Sequence, residues 1–397
     1  MRVAVVGGSI GGLTASLVLR DMPGLDVEVS VWERSPHELT QRGAGIGLLP
    51  ETSRYLVDVA GVDIDEFSVA TSRIRYLARG GTVAHESAHA YRFSSWNAVY
   101  RQLLACMKPG DYHLDHEMTD WQDTGDGVTI EFANGRRVDA DLAVFADGVN
   151  SLARSRLIPG AAPRYAGYVA WRGMVHESEL SAGTRAALDD AITYHVYANS
   201  HILVYPIPGM DGSTSPGSRL VNYVWYRNYS TGGDLEDLLT DADGTRRDVS
   251  VPPGAVAPHH VAEMKGHAAA RLPGPVAEVV GRTEQPFVQV VYDLDIPRMS
   301  FGHTCLLGDA AFLGRPHAAA GTAKAADDAW ALARALHDAG ASGRTVTDAL
   351  TEYEASQVPV GRHLIERTAR IGRRSQVDCD WVPGDPDLIF GLRGPGS

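Results

Sequence analysis

Gly7-Gly8-Ser9-Ile10-Gly11-Gly12 and Glu33 are the first residues of the chain whose types and spacing can do chemistry. The glycine run stands between a short apolar segment, Val3–Val6, and a segment with helical spacing, Leu13–Met22. A strand, a glycine-rich turn and a helix direct backbone N–H groups and the positive end of a helix dipole at one point, which suits a pyrophosphate. Glu33 follows the next expected strand, Val27–Trp32, 26 residues after Gly7. Dinucleotide-binding units place a carboxylate there to accept hydrogen bonds from a ribose. Ser9 replaces the second glycine of that fingerprint, and its hydroxyl is itself a donor to a phosphate oxygen. Gly7-Gly8-Ser9-Ile10-Gly11 also spells the G-x-S-x-G elbow of serine hydrolases, with Asp309 and His317 following in triad order. An elbow rarely follows the first strand of a chain, and it leaves Glu33 unexplained. A tight turn with no ligand is the plain alternative.

The elements needed to position such a site are legible along the chain. A second glycine loop, Gly43-Ala44-Gly45-Ile46-Gly47, follows Glu33, and Ser95–Met107 reads as a helix carrying Arg101. Val128–Phe132 and Arg137–Asp141 flank the hairpin signal Asn134-Gly135. Leu142–Ala146 is a buried strand running into Asp147-Gly148, and Thr304–Leu307 another running into Gly308-Asp309. Between them lie the aromatic strands Tyr168–Val175, Thr193–Tyr197, Ile202–Ile207 and Leu220–Tyr226, which predict a larger antiparallel sheet. Ser230–Pro253 reads as a charged loop, Val288–Tyr292 as a strand, and Thr322–Leu336 and Thr345–Arg373 as helices. The tail from Pro383 reads as an extended arm.

Composition narrows the function classes. Apolar residues make up 44% and charged residues 21% of 397, the balance of a globular enzyme. A net charge of −13 repels phosphate backbones, so no nucleic-acid partner is expected. No apolar run approaches the roughly 18 residues that cross a bilayer, so no membrane partner is expected either. The apolar stretch from Arg2 to Leu19 is broken by two glycine pairs and lacks a cleavage site, unlike a signal peptide. Cys106, Cys305 and Cys379 are scattered and odd in number, which suits free thiols in a cytoplasmic protein.

Ala146-Asp147-Gly148 with Ser151 and Arg154, then Gly308-Asp309-Ala310-Ala311 leading into Arg315-Pro316-His317 and Gly321, join the glycine turn and Arg101 in one order. In that order the set resembles the flavoprotein aromatic hydroxylases, the single-component FAD monooxygenases. Tyr165–Gly173 (YAGYVAWRG), Tyr205–Gly209 (YPIPG), Gly314–Gly321 (GRPHAAAG), Lys324-Ala325 and Asp327-Asp328-Ala329 extend the resemblance over nearly the whole chain.

The resemblance implies an α/β fold: a Rossmann-like FAD-binding domain with an inserted, mainly antiparallel β-sheet substrate domain and C-terminal helices. Residues 1–75, 100–164 and 286–397 would build the FAD-binding part, the last with the GD motif and the C-terminal helices. Residues 76–99 and 165–285 would build the substrate sheet. For the cofactor it implies Ser9 and Ile10 at the pyrophosphate, in a turn shaped by Gly7 and Gly12. Glu33 would meet the adenosine ribose and Arg34 the adenine side. Arg101 would lie along the pyrophosphate and ribityl chain, and Asp309 would accept from a ribityl hydroxyl. Gly45 and Ala320 would contact the cofactor, and the backbone near Gly321, Thr322 and Ala323 would cover the isoalloxazine. Asp147 and Gly148 belong to the motif tied to FAD and reduced nicotinamide. The sequence departs from the wider family at Phe312, where many relatives have His, and at Ala319 and Ala323, where they have Gly and Asn.

The implied activity is hydroxylation of an electron-rich ring, a hydroxypyridine or a phenol, using NADH or NADPH and O2 through a flavin C4a-hydroperoxide. Ring-opening oxygenation and dehydrogenation use the same scaffold and stay open, as does a homodimer. Such a ring is more nucleophilic once a hydroxyl on it is deprotonated, so a base or relay is needed. His201, Tyr205 and His317 are the candidates, between aromatic walls at Tyr194–Tyr205 and Tyr223–Tyr226. The plain alternative for each is a satisfied structural residue. The adjacent His259-His260 pair is expected on a solvated loop, and no metal site is expected.

Overall fold

The computed structural model describes residues 1–40 and 44–397, so Gly43 of the second glycine loop lies outside the described residues. The apolar segment near the start forms the strand Arg2–Val6 within a six-stranded sheet. The sheet order is Ser300–Phe301, Thr304–Leu306, Leu142–Phe145, Arg2–Val6, Glu28–Trp32 and Tyr112–His113. Val3–Val6 runs parallel to Leu142–Phe145 on one side and to Val29–Trp32 on the other. A central parallel strand buries both faces, which is why it is apolar without alternation. The helix Ile10–Asp21 packs between this sheet and the helix Gly321–Ala341. The helix Val346–Gln376 covers the latter, and it begins at a capping box between Thr345 and Asp348.

The second sheet has nine strands, in the order Ser250–Val251, Phe287–Asp293, Arg164–His176, Leu220–Asn228, Ser200–Ile207, Ala191–Tyr197, Val69–Leu77, Val83–Ser95 and Gly45–Gly47. One strand thus runs across position 75/76, and the second glycine loop supplies an edge of this sheet. Alternate side chains of a strand leave opposite faces. Trp171, Ile202, Val204, Tyr223 and Trp225 take one face and pack with residues of the helices Pro258–Arg271 and Gly274–Arg282. Tyr168, Ala170, Leu203, Tyr205, Val224 and Tyr226 take the other, with Ala318, Ala320 and Phe390 against them. Burial on both faces accounts for the aromatic density of these strands. A three-stranded sheet, Met118–Asp123, Val128–Phe132 and Arg137–Ala140, contains the expected hairpin.

Three expectations are corrected. Ser230–Pro253 is not all loop: it holds the helix Gly233–Leu238 and the strand Ser250–Val251. His259-His260 opens the helix Pro258–Arg271, with Pro258 in its first turn, and His260 is buried. The tail is no free arm. Leu388, Phe390 and Leu392 are buried, and Arg367 donates to the carbonyls of Asp387, Ile389 and Gly391. Its glycines and prolines let the chain bend back onto the core. Among the described residues no helix is long and apolar enough to cross a membrane.

Candidate active site

The glycine turn tolerates no side chain at two points. Gly7 has φ +107°, and a Cβ there would lie 2.3 Å from the Ala146 carbonyl oxygen. A Cβ at Gly12 would lie 1.8 Å from the carbonyl oxygen of Gly7. The turn is therefore pressed against the loop at Ala146-Asp147 and against its own helix. Ser9 is the N-cap of Ile10–Asp21, yet its side chain makes no capping bond. Glu33 is buried and braces the turn: one carboxylate oxygen accepts from Gly8 N–H at 2.8 Å, the other from Ser35 N–H at 2.9 Å.

A cavity of about 400 Å³ opens beside this turn, lined by Gly7, Ser9, Glu33, Arg34, Asp147 and Gly148 among others. Trp32 forms part of its wall, stacked on His113 with ring centroids 4.0 Å apart. Burial pushes the Asp147 carboxyl up, and its Oδ1 has no hydrogen-bond partner. Arg154, three residues past its N-cap Ser151, is buried and donates to Val149 O at 2.6 Å and Ala310 O at 3.2 Å. It ties the Asp147 loop to the Asp309 loop. Arg34 and Arg101 are both exposed, but only Arg34 lines a cavity; Arg101 lines neither.

A second cavity, about 360 Å³, shares Ser9, Trp96, Ala146 and Gly148 with the first and runs on past Ile10 and Asp309 to the large sheet. Asp309 is open to the cavity but set deep in the protein. These surroundings push its carboxyl up to about 6, against the pull of Arg154. Below its loop, the fully buried Asp328 accepts from Gly308 N–H at 3.0 Å and pairs with Lys324. Gly45, Ala320, Gly321 and Thr322 line this cavity, whereas Ala323 is buried and does not. Ala320 is the N-cap of Gly321–Ala341, so the first N–H groups of that long helix lie at the cavity wall without intrahelical acceptors. Ala319 adopts φ +53°, which is where glycine is favoured and costs an alanine roughly 1 kcal/mol. Phe312 faces away from the cavity, its ring against Gly361 and beneath Lys324.

At the sheet end, the Gly45 peptide is held from three sides. Tyr205 Oη donates to its carbonyl at 2.8 Å, Arg172 donates to the same oxygen, and Asn222 Oδ1 accepts from its N–H at 2.9 Å. Arg172 also donates to Gln289 Oε1 at 3.0 Å, while its Nε and the Nδ2 of Asn222 have no partner. Tyr205 lines the cavity with its hydroxyl engaged, and burial raises its pKa.

His317 sits in the turn Pro316–Ala318, whose neighbours Pro316 and Ala319 line the cavity, but its imidazole lies behind that wall. Its Nε2 meets Tyr168 Oη at 2.7 Å. His201 and Tyr226 pack beside it, with ring centroids 5.3 and 4.6 Å away, and Trp381, just ahead of the tail, covers His201. Burial lowers His201 to about 3 and His317 well below its ordinary value, so both are neutral near pH 7. The Nδ1 atoms of both rings lack partners. Of this cluster Tyr226 lines the cavity. Ser9 lines both cavities, whereas the His317 imidazole lies behind the wall and pairs with Tyr168, so the two are not brought together as a hydrolase pair. Arg172, Asn222, Gln289 and Phe390 were not singled out by sequence reasoning. Arg172 lies within the YAGYVAWRG segment, but Phe390 carries no signal in a glycine- and proline-rich tail.

This arrangement, two joined cavities with a glycine turn at one end and an aromatic sheet at the other, has counterparts among known proteins. A family profile described as FAD binding domain-like matches residues 165–293. The chain is 36% identical over 394 residues to 2,6-dihydroxypyridine 3-monooxygenase of Paenarthrobacter nicotinovorans, covering 98% of this chain and 96% of that protein. The chain belongs to the FAD-dependent aromatic hydroxylases. Its fold superposes on the solved 2,6-dihydroxypyridine-3-hydroxylase of Arthrobacter nicotinovorans with a TM-score of 0.92, at 35% identity, over 100% of this chain and 98% of that one. It is also 27% identical to 6-hydroxynicotinate 3-monooxygenase of Pseudomonas fluorescens, over 98% of this chain and 94% of that protein. As a member of the aromatic hydroxylases the chain uses FAD, with NAD(P)H as co-substrate.

Proposed function

We propose that this hydroxylase acts on a small, uncharged hydroxylated ring of the hydroxypyridine class, bound between the aromatic sheet face and the Gly45–Gly47 strand. The observation that carries this is the second cavity. It leads from the glycine turn and Asp309 to a chamber walled by Leu203, Tyr205, Val224, Tyr226 and Phe390. The 36% identity over the whole chain to a dihydroxypyridine monooxygenase supports the same ring class.

The residues present fit FAD. The turn pressed shut at Gly7 and Gly12 leaves Ser9 and Ile10 to meet the pyrophosphate. Glu33 and Arg34 line the first cavity, where Glu33 would meet the adenosine ribose and Arg34 the adenine side. The unpartnered Asp147 Oδ1 borders the same cavity and suits a hydroxyl donor. Asp309 would accept from the ribityl chain, and Gly45 with Ala320, Gly321 and Thr322, which line the same cavity, would border the isoalloxazine. The uncapped N–H groups of Gly321–Ala341 favour negative charge there. Bound FAD, reduced by NADH or NADPH, supplies the activation of O2.

The protein then has to orient the ring, keep water out and take its hydroxyl proton. Leu203, Val224 and Phe390 make the chamber apolar. Arg172, Tyr205 and Asn222 hold Gly45 and so set the distance between sheet and cofactor. Tyr226 stands between the chamber and two neutral imidazoles whose Nδ1 atoms have no partner. His201 and His317 support the wall from behind, and Tyr205 acts as an anchor. Free thiols at Cys106, Cys305 and Cys379 accord with a cytoplasmic enzyme. A homodimer is the expected assembly, which light scattering reads.

The test is a panel of 2,6-dihydroxypyridine, 6-hydroxynicotinate, salicylate and simple phenols with purified yellow protein. The expected result is substrate-stimulated NAD(P)H oxidation and a product heavier by one oxygen atom, best with the uncharged pyridinol. Equal or better coupled turnover of the carboxylated rings overturns the assignment of ring class.

A further inference from the structure

The stretch from Ser230 to the helix Pro258–Arg271 lies outside both cavities and has no part in the chemistry above. It brings together Asp237, His259 and His260, one ligand atom of each lying within 4.8 Å of the others. Asp237 Oδ2 is 3.2 Å from His260 Nε2 and 3.6 Å from His259 Nε2. Bonds of about 2.1 Å to a tetrahedral cation separate neighbouring ligand atoms by about 3.4 Å, so both spacings match one edge of such a site. The His260 side chain is 8% exposed and its Nε2 has no hydrogen-bond partner, although it points at the carboxylate. The two rings pack against each other, with centroids 4.0 Å apart.

The local electrostatics also leave a charge unanswered. Asp237 lies in the last turn of the helix Gly233–Leu238, which contains no basic residue. Its carboxylate adds to the negative end of that helix, and a cation held there relieves both.

We propose that Asp237, His259 and His260 form a structural site for one zinc-class divalent cation, which clamps the helix Gly233–Leu238 to the start of Pro258–Arg271. Two imidazoles and one carboxylate are a donor set for Zn²⁺, with water as fourth ligand. The clamp closes the segment between the two helices, which carries the edge strand Ser250–Val251 of the large sheet. The site is separate from catalysis, since none of the three residues lines either cavity.

The test uses FAD-loaded protein freed of metal with EDTA and titrated calorimetrically with ZnCl2. Wild type is expected to bind one more equivalent than the Asp237→Asn/His259→Ala/His260→Ala variant. The exposed-site change His259→Ala alone should weaken that binding by at least about tenfold, without disturbing the buried ring. Zinc should raise the melting temperature of wild type only, with flavin content and hydroxylation unchanged in all forms. Equal zinc uptake by wild type and the triple variant overturns the proposal. A simple His–Asp ion pair is the other outcome that sinks it: the variants would then melt lower without metal, and zinc would add nothing.

Discussion

The nucleotide end and the ring end of the cavity system are built in different ways. At the nucleotide end, Gly7, Ser9 and Glu33 lie within one strand–helix–strand unit, and Glu33 braces the turn it works with. At the ring end, Gly45 is held by Arg172, Tyr205 and Asn222, and Phe390 comes from the far end of the chain. The first is compact in sequence and serves any enzyme that binds this cofactor. The second exists only once distant strands have paired, and under the proposed function it is where one ring is told from another.

Three changes test that contrast. The largest effect is expected from Gly12→Ala, which puts a methyl group 1.8 Å from a backbone oxygen. Overpacking against backbone costs on the order of 3 kcal/mol, so the variant should melt far lower and purify without flavin. Native melting with full flavin content would mean that the turn relaxes freely. Next is Arg172→Met, which removes two hydrogen bonds at the ring end and none at the nucleotide end. Charged hydrogen bonds of this kind contribute about 1.5–3 kcal/mol, so kcat/KM should fall about 10- to 100-fold while FAD affinity stays unchanged. Loss of flavin in step with activity would erase the distinction between the two ends.

The smallest effect concerns pH. His201 is held to about 3 in the folded protein, below its unfolded value near 6.5, and His317 is lowered as well. The unfolded chain therefore binds more protons in that window. Stability is fully present above about pH 6.5 and is lost as pH falls, by up to about 1.4 kcal/mol per pH unit for each imidazole. Urea midpoints measured from pH 7 to pH 5 should decline, and His201→Gln should flatten the decline. An identical slope in the variant would show that His201 is not the neutral buried group described above.

The buried ion pair Lys324–Asp328 belongs to the same comparison. It lies beneath the cavity and fixes Gly308, so the Asp309 carboxylate projects from a loop anchored by charges that never meet the ligand. Both residues fall in segments that resemble the family, and their i,i+4 spacing on the expected helix Thr322–Leu336 already puts them on one face; only the fold decides that the pair is buried beneath Gly308. The tail shows the opposite case. Its composition reads as an arm, and only Arg367, reaching three of its carbonyls, turns it into a wall.

The nucleotide unit, the order of the Asp147 and Asp309 loops and the buried character of the aromatic strands are legible from the order of residues. These rest on short-range rules: a glycine where no Cβ fits, a cap before a helix, apolar runs where both faces are covered. Only the tertiary structure decided that His317 turns away from the chamber towards Tyr168, that Tyr205 anchors Gly45, and that Phe390 closes the ring end. Those outcomes depend on which strand lies beside which and on which face each alternate side chain takes. A shift of register by one residue reverses that face, and spacing along the chain does not report the register.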